Sequence, residues 1–188
     1  MNIQQTLILV LFAALGIVFF VVVYKVKAAG GELFGRATIN LSVQLLGKAF
    51  ILLPNCFLLF ETLGFKLSWL DVPEFLRWIG VFIFFEGVLF LCFSLIHLGR
   101  YTKMGLPKND VIQLRTTGIY KLSRNPMYLG LIIVAIASVM MVPNPFNLVF
   151  AIAGILIHHK IIINEEKFLT GRFGQQYPDY KKTTKRYL

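Results

Sequence analysis

Residues 3–24 contain no charged side chain; the first is Lys25. A helix rises about 1.5 Å per residue, so about 20 apolar residues cross the roughly 30 Å hydrocarbon core of a bilayer. Inside that core every backbone N–H and C=O must find a partner within the segment, which a helix provides. Further apolar stretches follow at 39–60, 76–98, 127–142 and 146–163. The fourth is short and ends at Pro143-Asn144-Pro145, a breaker that makes the last two a tight hairpin. The expected fold is all-α: an integral membrane bundle of about five transmembrane helices, closed by a cytoplasmic C-terminal helix and lid. The 3–24 stretch is expected to be a retained span. No charged segment precedes it, it is too long for a signal-peptide core, and no small-x-small cleavage site follows.

Composition agrees. Of 188 residues 57% are hydrophobic and only 15% charged, with 18 Phe among them, whereas a soluble domain carries about a quarter charged residues. The net charge is +10, but apolar runs interrupt the basic residues, so a nucleic-acid partner is not expected. The basic residues follow alternate spans instead: Lys25, Lys27 and Arg36 after the first; Arg100, Lys103, Lys108, Arg115, Lys121 and Arg124 after the third; Lys167, Arg172, Lys181, Lys182, Lys185 and Arg186 after the fifth. Between the second and third spans, Lys66 and Arg77 are outnumbered by Glu61, Asp71 and Glu74. The positive-inside rule then places the N-terminus outside and the C-terminus in the cytoplasm, in the inner or plasma membrane if the source is bacterial. The basic loops would also meet anionic membrane lipid. Cys56 and Cys92 sit in apolar runs as small hydrophobes rather than as a disulfide or metal pair. We expect a single membrane domain over 1–188, with three N-terminal spans in 1–98 and a motif-bearing half in 99–188.

Three polar clusters gather on the expected cytoplasmic side. The first is 114–130, LRTTGIYKLSRNPMYLG. Thr116-Thr117-Gly118 reads as a turn with capping residues, and Pro126 suits the first turn of the fourth helix. A helix N-terminus favours an anion, and Arg124 is able to grip a carboxylate with two N–H groups. Tyr128, four residues on, shares its direction if the helix starts early. Arg, Asn and Tyr are equally ordinary as anchors at a membrane boundary, and residue chemistry alone leaves both readings open. The second cluster pairs His158 with Glu165 and His159 with Glu166, each seven residues apart and hence on one helix face. Adjacent histidines diverge by about 100°, so no metal site is expected; interfacial polar residues are the plain alternative, above all for His158. The third is the tail, where Phe168, Leu169 and Phe173 lie beside Lys167 and Arg172 before Gly174 ends the helix. It reads as an amphipathic helix on anionic lipid, whose aromatic end is placed to fold over a pocket. Two ionisable residues remain inside spans, Lys48 and Glu86, near mid-bilayer. They are expected to pair across the second and third helices; the alternative is a snorkelling Lys48 and a protonated Glu86. Glu86 also shares a face with His97, eleven residues on.

In combination these motifs resemble the isoprenylcysteine carboxyl methyltransferase and phospholipid methyltransferase superfamily. The resemblance rests on Gly118, Tyr120, Arg124, Asn125, Pro126, Tyr128 and Gly130, then Glu165 and Glu166 across the hairpin, then Phe173, Gly174, Tyr177 and Tyr180. It covers roughly 98–188; the first three spans agree only in hydropathy. It implies S-adenosyl-L-methionine as methyl donor, held at the cytoplasmic ends of the last spans, with a lipophilic or lipid-linked acceptor arriving sideways from the bilayer. On that basis Tyr120, Arg124, Asn125, Pro126, Tyr128, Gly130, His159, Glu165, Glu166 and Tyr177 are the expected cofactor-binding residues. Arg124, Glu165 and Glu166 are the expected catalytic ones, and the tail is the lid. Two departures bear on the acceptor and not on the donor: Asn125 stands where isoprenylcysteine enzymes have His, and 101–113 lacks the His they carry upstream.

Methyl transfer is an in-line displacement in which the donor brings the driving force and the protein positions the reactants. A carboxylate acceptor needs no base. An amine or hydroxyl needs one, for which Glu165, Glu166 and His159 are the candidates. Two other functions compete: an NADPH-dependent membrane reductase of the sterol type, which has a similar Arg-His-Pro-x-Tyr segment, and a non-catalytic membrane subunit whose basic face binds partners or anionic lipid.

Overall fold

A computed structural model describes residues 2–29, 40–98 and 114–188. Arg36, Arg100, Lys103, Lys108 and the 101–113 stretch lie outside the described residues. Among the described residues six α-helices run in the order α1 Ile3–Ala28, α2 Leu41–Thr62, α3 Glu74–Leu98, α4 Pro126–Met141, α5 Pro145–Phe173 and α6 Gln176–Thr183, with a 3-10 turn at Gly118–Lys121 before α4. Among the described residues there is no strand. Helices α1, α2, α3 and α5 are long and apolar enough to cross a membrane; α4, with 16 residues, is apolar but shorter, about 24 Å. The chain is thus a helical membrane bundle, with five apolar helices among the described residues.

Local chemistry sets the helix ends. Asn2 and Gln5 exchange side-chain-to-backbone hydrogen bonds of 2.8 Å to open α1. Asn40 and Asn144 accept from the backbones of Ser42 and Phe146 to start α2 and α5. Pro126 and Pro145 occupy first-turn positions. Thr117 precedes the 3-10 turn without a side-chain cap, so the capping role expected of the threonines is not realised there. Helix α5 does not stop at residue 163. It runs unbroken for 29 residues, about 44 Å, and carries the tail's apolar stripe as its own last turns.

The short α4 is the centre of the bundle, packed against α3, α2 and α5. Its contact with α3 is close because glycine meets glycine. A Cβ on Gly130 would stand 2.9 Å from the Gly87 carbonyl oxygen, and one on Gly87 would stand 3.0 Å from the Val134 backbone nitrogen. At the α2–α5 crossing a Cβ on Gly154 would fall 2.7 Å from the Ile51 backbone nitrogen. Lipid is as apolar as Leu, so packing of this kind, more than the hydrophobic effect, joins helices in a membrane. Polar bonds add to it: Ser138 donates to the Pro54 carbonyl of α2, and Asn147 donates to Ser138 at 3.2 Å and to Val142 at 2.9 Å.

This order of packing separates α2 from α3, with α4 between them, and no ion pair joins Lys48 to Glu86. The expected pair is therefore not formed. Lys48 turns into a cavity shared with α4 and α5. Helix α1 leans mainly on α3. It is buried near its two ends, at Ile8 and at Val22 and Val26, while Leu15, Gly16 and Phe19 between them face the cavity.

Candidate functional site

The site lies at the end of the bundle where α4 begins and α5 runs out. The chain reaches α4 through a turn that only glycine fits. Gly118 has φ +63°, and a Cβ there would stand 2.2 Å from the His97 ring at the end of α3. His97 is held for this contact by its Nδ1–H, which donates to the Phe93 carbonyl at 2.8 Å.

From that turn Arg124 and Asn125 project into a knot around Glu166. Arg124 donates to Glu166 Oε1 from Nε at 3.2 Å and from Nη2 at 3.0 Å, and the Asn125 amide reaches the same oxygen at 3.2 Å. Glu166 Oε2 accepts from Arg186 Nη2 at 3.0 Å and Nε at 3.3 Å. Both carboxylate oxygens are engaged, and the side chains of Arg124 and Glu166 are 9% and 3% exposed. The anion that Arg124 was expected to grip is thus one of the protein's own. The Asn125 amide, turned toward Glu166, does not cap α4.

The tail is stitched to the same turn. Arg124 donates its backbone N–H to Lys185 O at 3.0 Å and its guanidinium to Thr184 O; Ser123 Oγ donates to Arg186 O at 3.0 Å. Beneath this strap Tyr177 is fully buried, with its ring under the Lys181 ammonium at 5.1 Å. Burial first, then the Glu166 charge, pushes the Tyr177 phenol above its ordinary range. Tyr180 donates to the Tyr120 carbonyl, and burial pushes its own phenol up to about 12. Arg186 is held above its usual value by its hydrogen bonds to Glu166. The tail is fastened to this turn as a strap of tyrosines and backbone bonds.

Glu165, the neighbour of Glu166, points elsewhere. Its Oε1 accepts from Tyr128 Oη at 2.8 Å, and the Tyr120 phenol lies within electrostatic range. Among the described residues no hydrogen bond reaches its second oxygen. Tyr128 is a wall of an apolar cavity of about 390 Å³ that runs between the helices, and its ring centre is 5.6 Å from that of His158. His158, Lys48 and Gln44 supply the cavity's other polar groups; Leu15, Phe19, Ile51, Leu95 and Met127 line much of the rest. His158 is buried and donates Nδ1–H to Gly154 O at 2.8 Å, so when neutral its Nε2 is an acceptor.

The expected residues therefore divide. Tyr128 lines the cavity and bonds Glu165, with Tyr120 in electrostatic range of that carboxylate, while Arg124, Asn125, Glu166 and Tyr177 form the knot. His159 shares a 2.8 Å hydrogen bond with Tyr187 of the tail. Pro126 is buried in the first turn of α4, and Gly130 faces α3 rather than either cluster. His158 and Lys48 are the cavity residues that sequence reading did not select as site residues. Both are ionisable groups at membrane depth, and that was the signal available. Among the described residues no group of three His, Cys, Asp or Glu side chains suits a metal ion.

An apolar cavity opens among the membrane helices, and Tyr128 on its wall links it by a hydrogen bond to the Glu165 carboxylate. The profile of the family described as phospholipid methyltransferase matches residues 75–176, more than half of the chain. The chain belongs to this family, and it is a membrane methyltransferase that draws on a methyl donor. It is similar to two rice proteins, from Oryza sativa subsp. indica and subsp. japonica, each named "Probable protein-S-isoprenylcysteine O-methyltransferase". Each is 29% identical over 175 residues, with 90% of both chains covered. A protein-S-isoprenylcysteine O-methyltransferase of Dictyostelium discoideum is 29% identical over 136 residues, which cover 69% of this chain and 57% of that one.

Proposed function

We propose that the protein moves the methyl group of S-adenosyl-L-methionine to a lipophilic acceptor, either isoprenylcysteine-carboxylate-like or phospholipid-like, that enters the apolar cavity from the bilayer. The observation that carries this reading is the continuity of cavity and polar end: Tyr128 lines the cavity and donates to Glu165 at 2.8 Å. When bound, the donor supplies a methyl on a cationic sulfur; the acceptor's lone pair forms the new bond to carbon while the carbon–sulfur electron pair stays on sulfur. The residues at the cavity's end suit that cation. A carboxylate with one oxygen held by a phenol, ringed by Tyr120 and Tyr128, attracts positive charge through both its charge and the ring faces.

In this reading Glu165, Tyr120 and Tyr128 face the donor. Arg124, Asn125, Glu166 and Tyr177 keep the strap closed over it, and His159 holds the strap's end through Tyr187. Glu166 and Arg124 then act on the reaction by position. The whole chain works as one membrane domain whose first three helices supply acceptor walls. The basic residues after α1 and toward the end of α5 and beyond support an N-terminus outside and a C-terminus in the cytoplasm, in the inner or plasma membrane if the host is bacterial.

The test is calorimetric titration of the detergent-purified protein with S-adenosylhomocysteine, with sinefungin, its cationic amine analogue, and with NADPH. Saturable binding of the first two is expected, with Glu165→Gln weakening sinefungin by about tenfold more than S-adenosylhomocysteine, one charged hydrogen bond's worth. Binding of NADPH alone would move the protein to the reductases. An equal loss for both analogues would remove Glu165 from the cation's side.

A further inference from the structure

A second cavity, of about 390 Å³, is walled by the end of α5, by α6 and by the strap. Ile163, Glu166, Lys167 and Thr170 line it from α5, at the i, i+3, i+4, i+7 spacing of one helix face. Lys181 of α6 and Arg186 of the strap complete it, so three cations meet around one carboxylate. That carboxylate is already matched twice. Glu166 holds Arg124 through one oxygen and Arg186 through the other, which leaves the knot itself net positive. Arg186 spends Nε and Nη2 on Glu166, so Nη1 keeps its N–H groups for another acceptor. The two lysines add charge without a counterion. Among the described residues no Asp or Glu lies within ion-pair distance of Lys167 or Lys181. Lys181 meets the Thr170 hydroxyl at 3.4 Å and the face of Tyr177 at 5.1 Å. The next residue, Lys182, points elsewhere on α6 and pairs with Asp179 at 2.9 Å.

We propose that this cavity binds the phosphate of an anionic phospholipid headgroup, held by Lys167, Lys181 and Arg186. Like charges gathered around one cavity repel, and an anion between them turns that repulsion into attraction. Two ammoniums and the edge of a guanidinium suit an anion rich in oxygen, phosphate above all. The place in the fold decides the source. Ile163 ends the apolar run of α5, and Thr170 lies about 10 Å further along the helix axis. The headgroup layer on each side of the hydrocarbon core is roughly 5–8 Å thick, so the cavity stands at its level. A zwitterionic headgroup brings its own cation to a cavity that already has three, which favours a headgroup without an amine. The cations come from α5, α6 and the strap, so one phosphate ties the tail to the helix it folds back on. This assignment is independent of the methyl donor and acceptor above.

The test is titration of the full chain, purified in uncharged detergent, with dioctanoylphosphatidylglycerol, dioctanoylphosphatidylcholine and inorganic phosphate. Phosphatidylglycerol is expected to bind about tenfold more tightly than phosphatidylcholine, the size of one charge-assisted hydrogen bond. Lys167→Gln and Lys181→Gln should each shrink that preference, and the two together should abolish it. Lys182→Gln makes the same change in net charge one residue away and should leave the preference intact. Thermal unfolding of each variant checks the fold. Lys167 is exposed and bonded to no described residue, so Lys167→Gln alone decides the matter if the double variant does not fold. A preference lost as fully in Lys182→Gln as in Lys181→Gln would show a diffuse basic face and overturn the site. Equal binding of the two lipids to wild type would overturn it as well. Inorganic phosphate that binds as tightly as phosphatidylglycerol and displaces it would overturn the lipid source and give the cavity to a free anion.

Discussion

Glu165 and Glu166 are adjacent in sequence and opposite in circumstance. One shares a hydrogen bond with Tyr128 at the cavity's end; the other is locked between Arg124 and Arg186. Removing one member of a buried ion pair leaves an uncompensated charge and costs about 3–5 kcal/mol. A pair with one exposed partner is worth about 1 kcal/mol or less. Arg124 is nearly buried and Arg186 about one-third exposed, so Arg124→Ala and Glu166→Ala should lower the melting temperature in detergent far more than Arg186→Ala. Glu165→Gln should leave the melt nearly unchanged and act on the ligands. Equal melting shifts for Glu165→Gln and Glu166→Ala would show that the two share one environment. The sequence marked both residues as functional; it could not separate them, because neighbours on a helix point about 100° apart and only the surrounding helices say toward what.

At the scale of elements the decisive contacts are backbone against backbone. Gly154 lets α5 touch the Ile51 backbone of α2, and this crossing aligns His158, one turn on, with Lys48. Gly154→Val is expected to force the helices apart and destabilise by about 1–3 kcal/mol, the usual range for overpacking. Gly171→Ala, in the same helix with open space around its missing Cβ, should be neutral or stabilise by up to about 1 kcal/mol. Thermal unfolding of the two variants side by side checks this; equal behaviour would mean that the α2–α5 contact is loose. Hydropathy located all five apolar helices. It ended the last at residue 163 because Asn164, Glu165 and Glu166 are polar, whereas the helix continues: Asn164 donates to the Lys160 carbonyl of its own helix, Glu165 finds Tyr128 of α4 and Glu166 finds Arg186 of the strap.

The whole molecule is a bundle closed at one end by its own C-terminus. Residues 184–186 lie along 123–125, joined by the Arg124–Lys185 backbone bond and the Ser123–Arg186 bond, and Tyr187 reaches His159. Deleting 184–188 removes these bonds and one partner of Glu166 while leaving every helix in place. The expected outcome is unchanged helix content by circular dichroism and at least a tenfold loss of S-adenosylhomocysteine affinity. Full affinity in the truncated chain would show that the strap does not cover the donor.

By itself the sequence determined the class of structure, since about 20 consecutive apolar residues leave the backbone no option but a helix in lipid. Through the ordered set from Gly118 to Tyr180 it also pointed to the family. Only tertiary structure decided who meets whom. Lys48 and Glu86 were expected to pair because both are ionisable at similar depth, yet α4 lies between their helices. Gly130, part of the motif, serves the α3 contact, and His158 rather than His159 lines the cavity. Depth and helix face follow from a local period; the order in which helices pack follows from close approaches at Gly87, Gly130 and Gly154, which no local period records.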